Sequence, residues 1–285
     1  MHAVSVTGRP WHELDRALLE CRPLIGVLTD HVHTPRAIAK RMMEYHLDKD
    51  YTMRVAEHLG NPKKEKIYNI YSIEEISEMS FSCPNCVLLM KAPNSTQQRP
   101  ALGIPDTKFV LLNDRAKMIT KAPIRVIDLS LLELHNSRTF WDIGACTGSV
   151  SIEARRQYPH LNIQAFEVRE ECKDIIRANA RLQSAPGIDL HIGNFLNLPI
   201  AEDAIVDAVF IGGHGGKLKE IICKVASHLD KLKGKIVFNS VSEESNKLFR
   251  EAVEENDLKL HSEMNITVDT NNPITILCAT GKYHV

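Results

Sequence analysis

Along residues 105–285, short apolar runs alternate with stretches in which apolar residues recur every three or four positions. The first pattern fits buried strands, the second helices packed by one face. Strands are predicted over 139–144, 163–167, 188–192, 204–211, 235–241, 259–268 and 274–280, and helices over 120–134, 149–158, 169–183, 217–229 and 243–256. In the first helix Ile124, Leu129 and Leu132 are the inward positions. Strands separated by helices of this length imply βαβ units and a parallel sheet. The last two strands follow one another without a helix, so that edge is antiparallel. The chain before residue 92 is also α/β. It has predicted strands over 24–28, 53–56 and 87–90, a helix over 34–45 with Pro35 in its first turn, and a helix over 72–79 with an acidic first turn. The two stretches meet at residues 92–106, where three prolines, one glycine and a polar cluster make linker chemistry.

Composition adds exclusions rather than a function. The 285 residues allow one or two domains; 44% are hydrophobic and 25% charged, an ordinary globular balance. The net charge of -1 gives no global basic field to attract nucleic acid or a membrane surface. No apolar run approaches the ~18 residues of a membrane helix, and the N-terminus lacks the basic and apolar regions of a signal peptide. Seven cysteines read as reduced thiols, so a cytoplasmic location is expected. Cys83-Pro-Asn-Cys86 is a lone pair without the second pair that structural zinc needs, and no metal site is expected.

Six of the fourteen glycines fall within 144–148 and 212–216. The first window, in Trp141-Asp-Ile-Gly-Ala-Cys-Thr-Gly148, lies where a strand turns into a helix. Glycines there permit positive φ and let a ligand approach the backbone. Glu167 ends the next strand, 19 residues after Gly148, where a carboxylate can accept both hydroxyls of a ribose. The spacing is G-x-x-x-G rather than G-x-G-x-x-G, and no second phosphate loop follows. An adenosyl group without pyrophosphate therefore fits better than a dinucleotide, with S-adenosylmethionine the candidate. The alternative is a turn whose glycines serve packing alone, with Glu167 solvated.

These residues resemble a family. The segment from Trp141 to Ala154 is similar to the first motif of the decarboxylating precorrin methyltransferases of cobalamin biosynthesis. Phe210-Ile-Gly-Gly-His-Gly-Gly-Lys-Leu218 resembles their fourth-strand motif, and segments 103–109, 118–125 and 272–275 match further landmarks in order. The N-terminal segments 4–11, 23–30, 33–39 and 57–62 resemble the C-terminal half of a tetrapyrrole methylase, which precedes the decarboxylating domain in bifunctional precorrin-6Y methyltransferases. The resemblance implies an α/β fold: a class I S-adenosylmethionine-dependent methyltransferase domain with a Rossmann-like seven-stranded sheet over 105–285, a linker over 96–104, and a partial tetrapyrrole methylase domain over 1–95.

The activity implied is methylation of a precorrin or cobalt-precorrin at ring carbon 15, with loss of carbon dioxide from a ring acetate. Thr120, Asp142, Gly144, Ala145, Cys146, Thr147, Gly148 and Gly212 would meet the methionine and adenosyl parts of the cofactor, Glu167 the ribose, and Asn194 and Phe195 the adenine. Cys146 stands where glycine is common, and Asn194 replaces a usual aspartate, so weakened cofactor binding is expected. Lys121 and Arg125, from a basic stretch that also holds Lys108, Arg115 and Lys117, and His214 and Lys217, in and after the second glycine window, are the substrate-binding candidates, because the substrate carries several carboxylates. No catalytic residue is fixed; His214, Asn239 and Asn272 are the candidates. The resemblance further implies a homo-oligomer, a dimer or tetramer, and leaves room for a separate chain completing the first domain. Two other readings stay open. One is a related methyltransferase acting on transfer RNA, against which the missing Asn/Asp-Pro-Pro-aromatic motif and low basicity weigh. The other is an impaired remnant that binds cofactor or tetrapyrrole without turnover.

Overall fold

The structure is a computed structural model that describes residues 1–69, 72–93, 95, 101–115, 118–269 and 272–282. It divides into two compact units, one of Met1–Pro100 with Ala180–Gly187, the other of Ala101–Asn179 with Ile188–Val285.

The first unit runs β1 (His2–Ser5), α1 (His12–Leu19), β2 (Leu24–Leu28), α2 (Pro35–Glu44), β3 (Tyr51–Glu57), β4 (Lys66–Tyr68), α3 (Ile73–Glu78) and β5 (Asn85–Lys91). Its sheet has the order β1-β2-β5-β3-β4, with only β1 and β2 parallel. Alternating residues Ile25, Val27, Met53, Val55, Val87 and Leu89 point to one face, which the apolar stripes of the three helices cover. At the start of α2 the Thr34 hydroxyl accepts the Ala37 N–H and Pro35 supplies a first-turn φ. The sequence pattern did not yield β1, α1 or β4. β1 and β4 are four and three residues long, too short to show a period.

The second unit contains α4 (Ala122–Leu131), β6 (Thr139–Ile143), α5 (Ser149–Gln157), β7 (Asn162–Glu167), α6 (Cys172–Leu182), β8 (Ile188–Ile192), β9 (Ala208–Ile211), α7 (Leu218–His228), β10 (Lys235–Ser240), α8 (Glu243–Glu255), β11 (Leu258–Ile266) and β12 (Ile274–Gly281). Seven strands form one sheet in the order β11-β12-β10-β9-β6-β7-β8. Five are parallel and β12 is antiparallel to both neighbours, the edge expected from two strands without a helix between them. The pleat sends Trp141, Ile143, Ile211 and Phe238 to the face covered by α7 and α8. It sends Phe140, Phe210 and Val237 to the face covered by α4 and α5. Ile124, Leu129 and Leu132 are buried in the second of these layers.

Three boundaries move for local reasons. The helix expected from residue 120 begins at Ala122, because Lys121 is extended (φ −61°, ψ 143°) ahead of Pro123, and Glu133 beyond its end takes a left-handed φ of 48°. The helix expected from 169 begins at Cys172, because Arg169 folds back onto Glu167. The strand expected from 204 begins at Ala208; ahead of it Val206 makes only an isolated bridge to Leu229.

The order of strands positions the site. From β6 the chain builds outward through β7 and β8 on one side, and through β9 and β10 on the other. The crevice at such a switch point lies beyond the C-terminal ends of the strands. Ile143 pairs with Ile211, so β6 and β9 end level and their glycine loops leave the sheet side by side.

Candidate active site

The two glycine windows meet backbone to backbone. Gly144 has φ +78°, and a Cβ there would lie 2.6 Å from the Gly213 nitrogen and 2.8 Å from its carbonyl oxygen. Gly212 N–H donates to the Ile143 carbonyl at 2.8 Å. On the other flank Gly144 and Ala145 both donate to the Phe166 carbonyl, at 2.8 and 3.1 Å. Gly148, at φ +74°, is the N-cap of α5. At Gly144 and Gly148 close approach of a neighbour and a positive φ together require glycine.

A cavity of about 620 Å³ opens over these loops. Of the expected cofactor residues, Thr120, Asp142, Gly144, Ala145, Cys146, Thr147, Glu167, Asn194, Phe195 and Gly212 all contribute to its wall. Gly148 does not; it sits behind the loop, with Ile176 close above its Cα. Glu167 accepts the Cys146 N–H at 2.8 Å and a two-pronged grip from Arg169 at 2.8 and 2.9 Å. Burial works to raise its pKa, but these hydrogen bonds outweigh burial and hold it below the usual carboxylate range. Asp142 is fully buried and accepts both the N–H and the hydroxyl of Ser151, at 3.1 and 2.6 Å, while Oδ1 has no partner. Burial raises its pKa to about 6 despite the Ser151 hydrogen bonds, with the Glu167 charge adding to the rise.

Cys146 adopts φ +51°, the left-handed region its glycine-like position demands. Its side chain packs into a small cluster with Leu112, Ala165, Cys172 and Ile176. Asn194 caps a short 3-10 turn, its Oδ1 accepting the Leu196 N–H at 3.1 Å. Phe195 is buried edge-on to Trp141 and Phe166. Lys224 of α7 underpins that turn. Its Nζ donates to the carbonyls of Phe195, Leu196 and Leu198 at 2.8, 3.2 and 2.8 Å and lies 5.0 Å from the Phe195 ring centre.

The expected substrate residues divide. Lys121, His214 and Lys217 line the cavity. Arg125 does not, and it corrects the expectation of a substrate cation there. Its side chain is 0% exposed and pairs with Glu153 at 3.3 Å and Asp106 at 2.8 Å. It also donates to the carbonyls of Thr120 and Ile104 and lies 5.1 Å from the centre of the Phe109 ring. Arg125 thus fixes the wall segment that carries Thr120 rather than meeting a ligand. Lys117 lies outside the described residues.

His214 accepts the Gly216 N–H at Nδ1 (3.2 Å), which assigns the proton to Nε2, 3.4 Å from the Ser245 hydroxyl. Burial lowers its pKa, so the ring is neutral at pH 7. Asn239 lines the cavity from the end of β10. Its amide donates to Asp128 at 2.7 Å, and its Oδ1 is buried without a partner. Asn272 is exposed and not part of the cavity wall. In the first unit Cys83 and Cys86 are free thiols, Cys86 within β5.

Arg169, Asp128, Ser151 and Lys224 escaped the sequence reading. Asp128 had a usable signal: it lies four residues after Ile124 on the inward stripe of its helix, where a carboxylate costs energy unless it has a role. The ties of Arg169 and Lys224 are tertiary and left no period to read.

Strand order, glycine crevice and the carboxylate ending β7 together define the class I methyltransferase fold. A family model described as the precorrin methyltransferase domain matches residues 112–277, and the chain belongs to that family. It is 35% identical over 127 residues to the cobalt-precorrin-6B C(15)-methyltransferase (decarboxylating) of Salmonella typhimurium, covering 45% of this chain and 64% of that one. It is 27% identical over 242 residues to the precorrin-6Y C(5,15)-methyltransferase (decarboxylating) of a Sinorhizobium species, covering 84% of this chain and 56% of that one. The chain thus spans less than two thirds of these relatives. A solved precorrin-6Y C5,15-methyltransferase structure from Geobacter metallireducens superposes with a TM-score of 0.56 at 33% identity, covering 65% of this chain and all of the other. Among the described residues no helix is long and apolar enough to cross a membrane.

Proposed function

We propose that the second unit transfers a methyl group from S-adenosylmethionine to ring carbon 15 of a precorrin-type macrocycle, with loss of carbon dioxide from a ring acetate. The observation that carries this reading is the family match over 112–277, because every residue of the cavity wall, from Met118 to Ile274, falls inside it.

The residues present fit the cofactor. Gly144 has no room for a side chain against the Gly213 backbone, Glu167 is a buried carboxylate on which two of the donors come from the Arg169 side chain, and Asn194 retains an amide N–H₂ to donate. Thr120, Asp142 and residues 144–147 would hold the methionine and adenosyl parts, Glu167 the ribose, and Asn194 and Phe195 the adenine. The bound cofactor supplies an electrophilic sulfonium methyl. The protein's own task is to orient and to exclude water. Loss of carbon dioxide leaves its bonding electron pair on the conjugated macrocycle, and the ring carbon that becomes electron-rich takes the methyl. Lys121 and Lys217 line the cavity as charge partners for substrate carboxylates. Neutral His214 and Asn239 would hydrogen-bond the ring system or its side chains.

The same reading takes residues 1–95 as a tetrapyrrole methylase portion joined by residues 96–104. The alignment to the bifunctional Sinorhizobium relative, which extends over 84% of this chain, supports it. It also expects a cytoplasmic homo-oligomer. Incubation with methyl-labelled cofactor and a metal-free or cobalt-containing precorrin-6B substrate tests the proposal by mass spectrometry. The expected product has gained one methyl and lost one carbon dioxide, and Glu167→Gln suppresses its formation. Binding of S-adenosylhomocysteine without any change in tetrapyrrole mass would overturn the proposed reaction.

A further inference from the structure

A carboxylate has four acceptor positions, two on each oxygen. On Glu167 all four are taken. Oε1 accepts the Arg169 backbone N–H at 3.0 Å and Arg169 Nε at 2.8 Å; Oε2 accepts the Cys146 N–H at 2.8 Å and Arg169 Nη2 at 2.9 Å. A ribose diol needs two of these positions. The two backbone donors are fixed by the loops that carry them, whereas the two guanidinium donors depend only on the Arg169 rotamer. A diol that reaches Glu167 therefore displaces the guanidinium.

The displaced group stays at the cavity. Arg169 is part of its wall, with the side chain 30% exposed. The lysines of the wall, Lys121 and Lys217, pair with Asp106 at 3.6 Å and Glu220 at 3.3 Å, acids outside the wall. Of the ion pairs made by these three wall cations, the Arg169 pair is the one whose acidic partner a cofactor claims. A guanidinium without its carboxylate matches another carboxylate bidentately, and a precorrin carries several.

We propose that Arg169 is a substrate-carboxylate binding residue that the cofactor releases from Glu167, so that cofactor and anionic substrate bind cooperatively. This rests on the function proposed above. The coupling is reciprocal: a polycarboxylate that engages Arg169 also raises affinity for the cofactor.

The experiment titrates the full chain with S-adenosylhomocysteine by calorimetry, and with uroporphyrin, a polycarboxylate tetrapyrrole probe, with and without saturating S-adenosylhomocysteine. Wild type is compared with Arg169→Met and Arg169→Lys. Arg169→Met is expected to bind S-adenosylhomocysteine about fivefold tighter, the order of one part-exposed ion pair that no longer competes. Wild type binds uroporphyrin more tightly once the cofactor product is bound, Arg169→Met loses that dependence, and Arg169→Lys keeps part of it. Equal or weaker S-adenosylhomocysteine binding by Arg169→Met overturns the competition. Coupling that survives in Arg169→Met overturns the substrate role. Wild type that binds S-adenosylhomocysteine but uroporphyrin in neither state overturns the substrate role together with the tetrapyrrole reading, while the first arm still decides the competition at Glu167.

Discussion

In the first unit Asp15 is buried beneath Arg41, which grips both its oxygens at 2.7 Å, and the buried Glu57 accepts the Ser82 N–H at 2.6 Å. In the second unit Asp128, Asp142, Thr147 and Asn239 each keep a buried oxygen without a partner. Among the described residues every such orphaned side-chain atom lies in the second unit. Buried polar atoms are ordinarily satisfied, because leaving one unpaired costs about 1–3 kcal/mol. Asp142, Thr147 and Asn239 all line the cavity. The first unit has spent its polar groups on its own fold; the second holds some in reserve at the place where a ligand would complete them.

The sharpest way to break this comparison uses one glycine from each unit. Gly144→Ala drives a methyl into the Gly213 backbone at a position of φ +78°. A cost of about 3 kcal/mol or more in unfolding free energy is expected, from backbone strain and the displaced loop together, with loss of S-adenosylhomocysteine binding. Gly8→Ala meets nothing within 4 Å at φ +61°, so only the left-handed penalty of about 1–2 kcal/mol remains. Urea unfolding of both variants, with calorimetry on the first, checks this. Equal costs would mean that the loops of the second unit part freely and that their contact does not build the site.

The next effect concerns Arg125. Breaking a fully buried ion pair leaves its partner charged and unsolvated. Arg125→Met should therefore cost about 3–5 kcal/mol at pH 7, with Glu153 the stranded partner. The conservative Arg125→Lys should recover only part, because one ammonium cannot reach two acids and two carbonyls from a planar fork. Thermal unfolding of the two variants measures it. A cost below 1 kcal/mol would return Arg125 to the list of ligand cations.

Arg125 also marks the limit of what could be read from residues alone. The alternation of apolar runs located every strand of the second sheet. Clustered glycines and the carboxylate ending β7 located the crevice, since those signals are local in the chain. A basic residue just ahead of a glycine loop looks like a ligand for anions; only the fold reveals that Glu153, 28 positions later, faces it. The tie of Glu167 to Arg169 is near in sequence but depends on a side chain turning back. That of Asn239 to Asp128 spans 111 positions and a sheet. In the first unit β1 and β4 carried too few residues to show a period, whereas α1 carried a legible helical spacing, with Leu14, Ala17 and Leu18 on its inward face.

Lys224→Met tests the support of the adenine-side turn. It removes three carbonyl contacts from a part-buried ammonium. Affinity for S-adenosylhomocysteine should fall roughly tenfold, the order of one or two net hydrogen bonds. The turn is short and the core beneath it is large, so the unfolding midpoint should hardly move. A large loss of stability with unchanged affinity would assign Lys224 to the fold alone.

The last expected effect opposes the two units in pH. Burial raises Asp142 to about 6 in the native protein, against about 3.9 in the unfolded chain. Between pH ~4 and ~6 the native state keeps a proton that the unfolded state has lost, so the stabilisation from this group is complete in acid and declines as pH rises through that window. Asp30 of the first unit runs the other way. N–H groups of Gly8 and His33 lead the interactions that hold its pKa below the usual range, so its contribution is present above pH ~4 and is lost on acidification. Relative to wild type, Asp142→Asn should therefore gain stability as pH rises from 4 to 6 and then level off, whereas Asp30→Asn should lose stability as pH rises towards ~4 and stay level above it. Urea midpoints at half-unit pH steps resolve the two slopes. Slopes of the same sign would mean that Asp142 ionises as an ordinary satisfied carboxylate, and that the cavity holds no polar reserve for a ligand to complete.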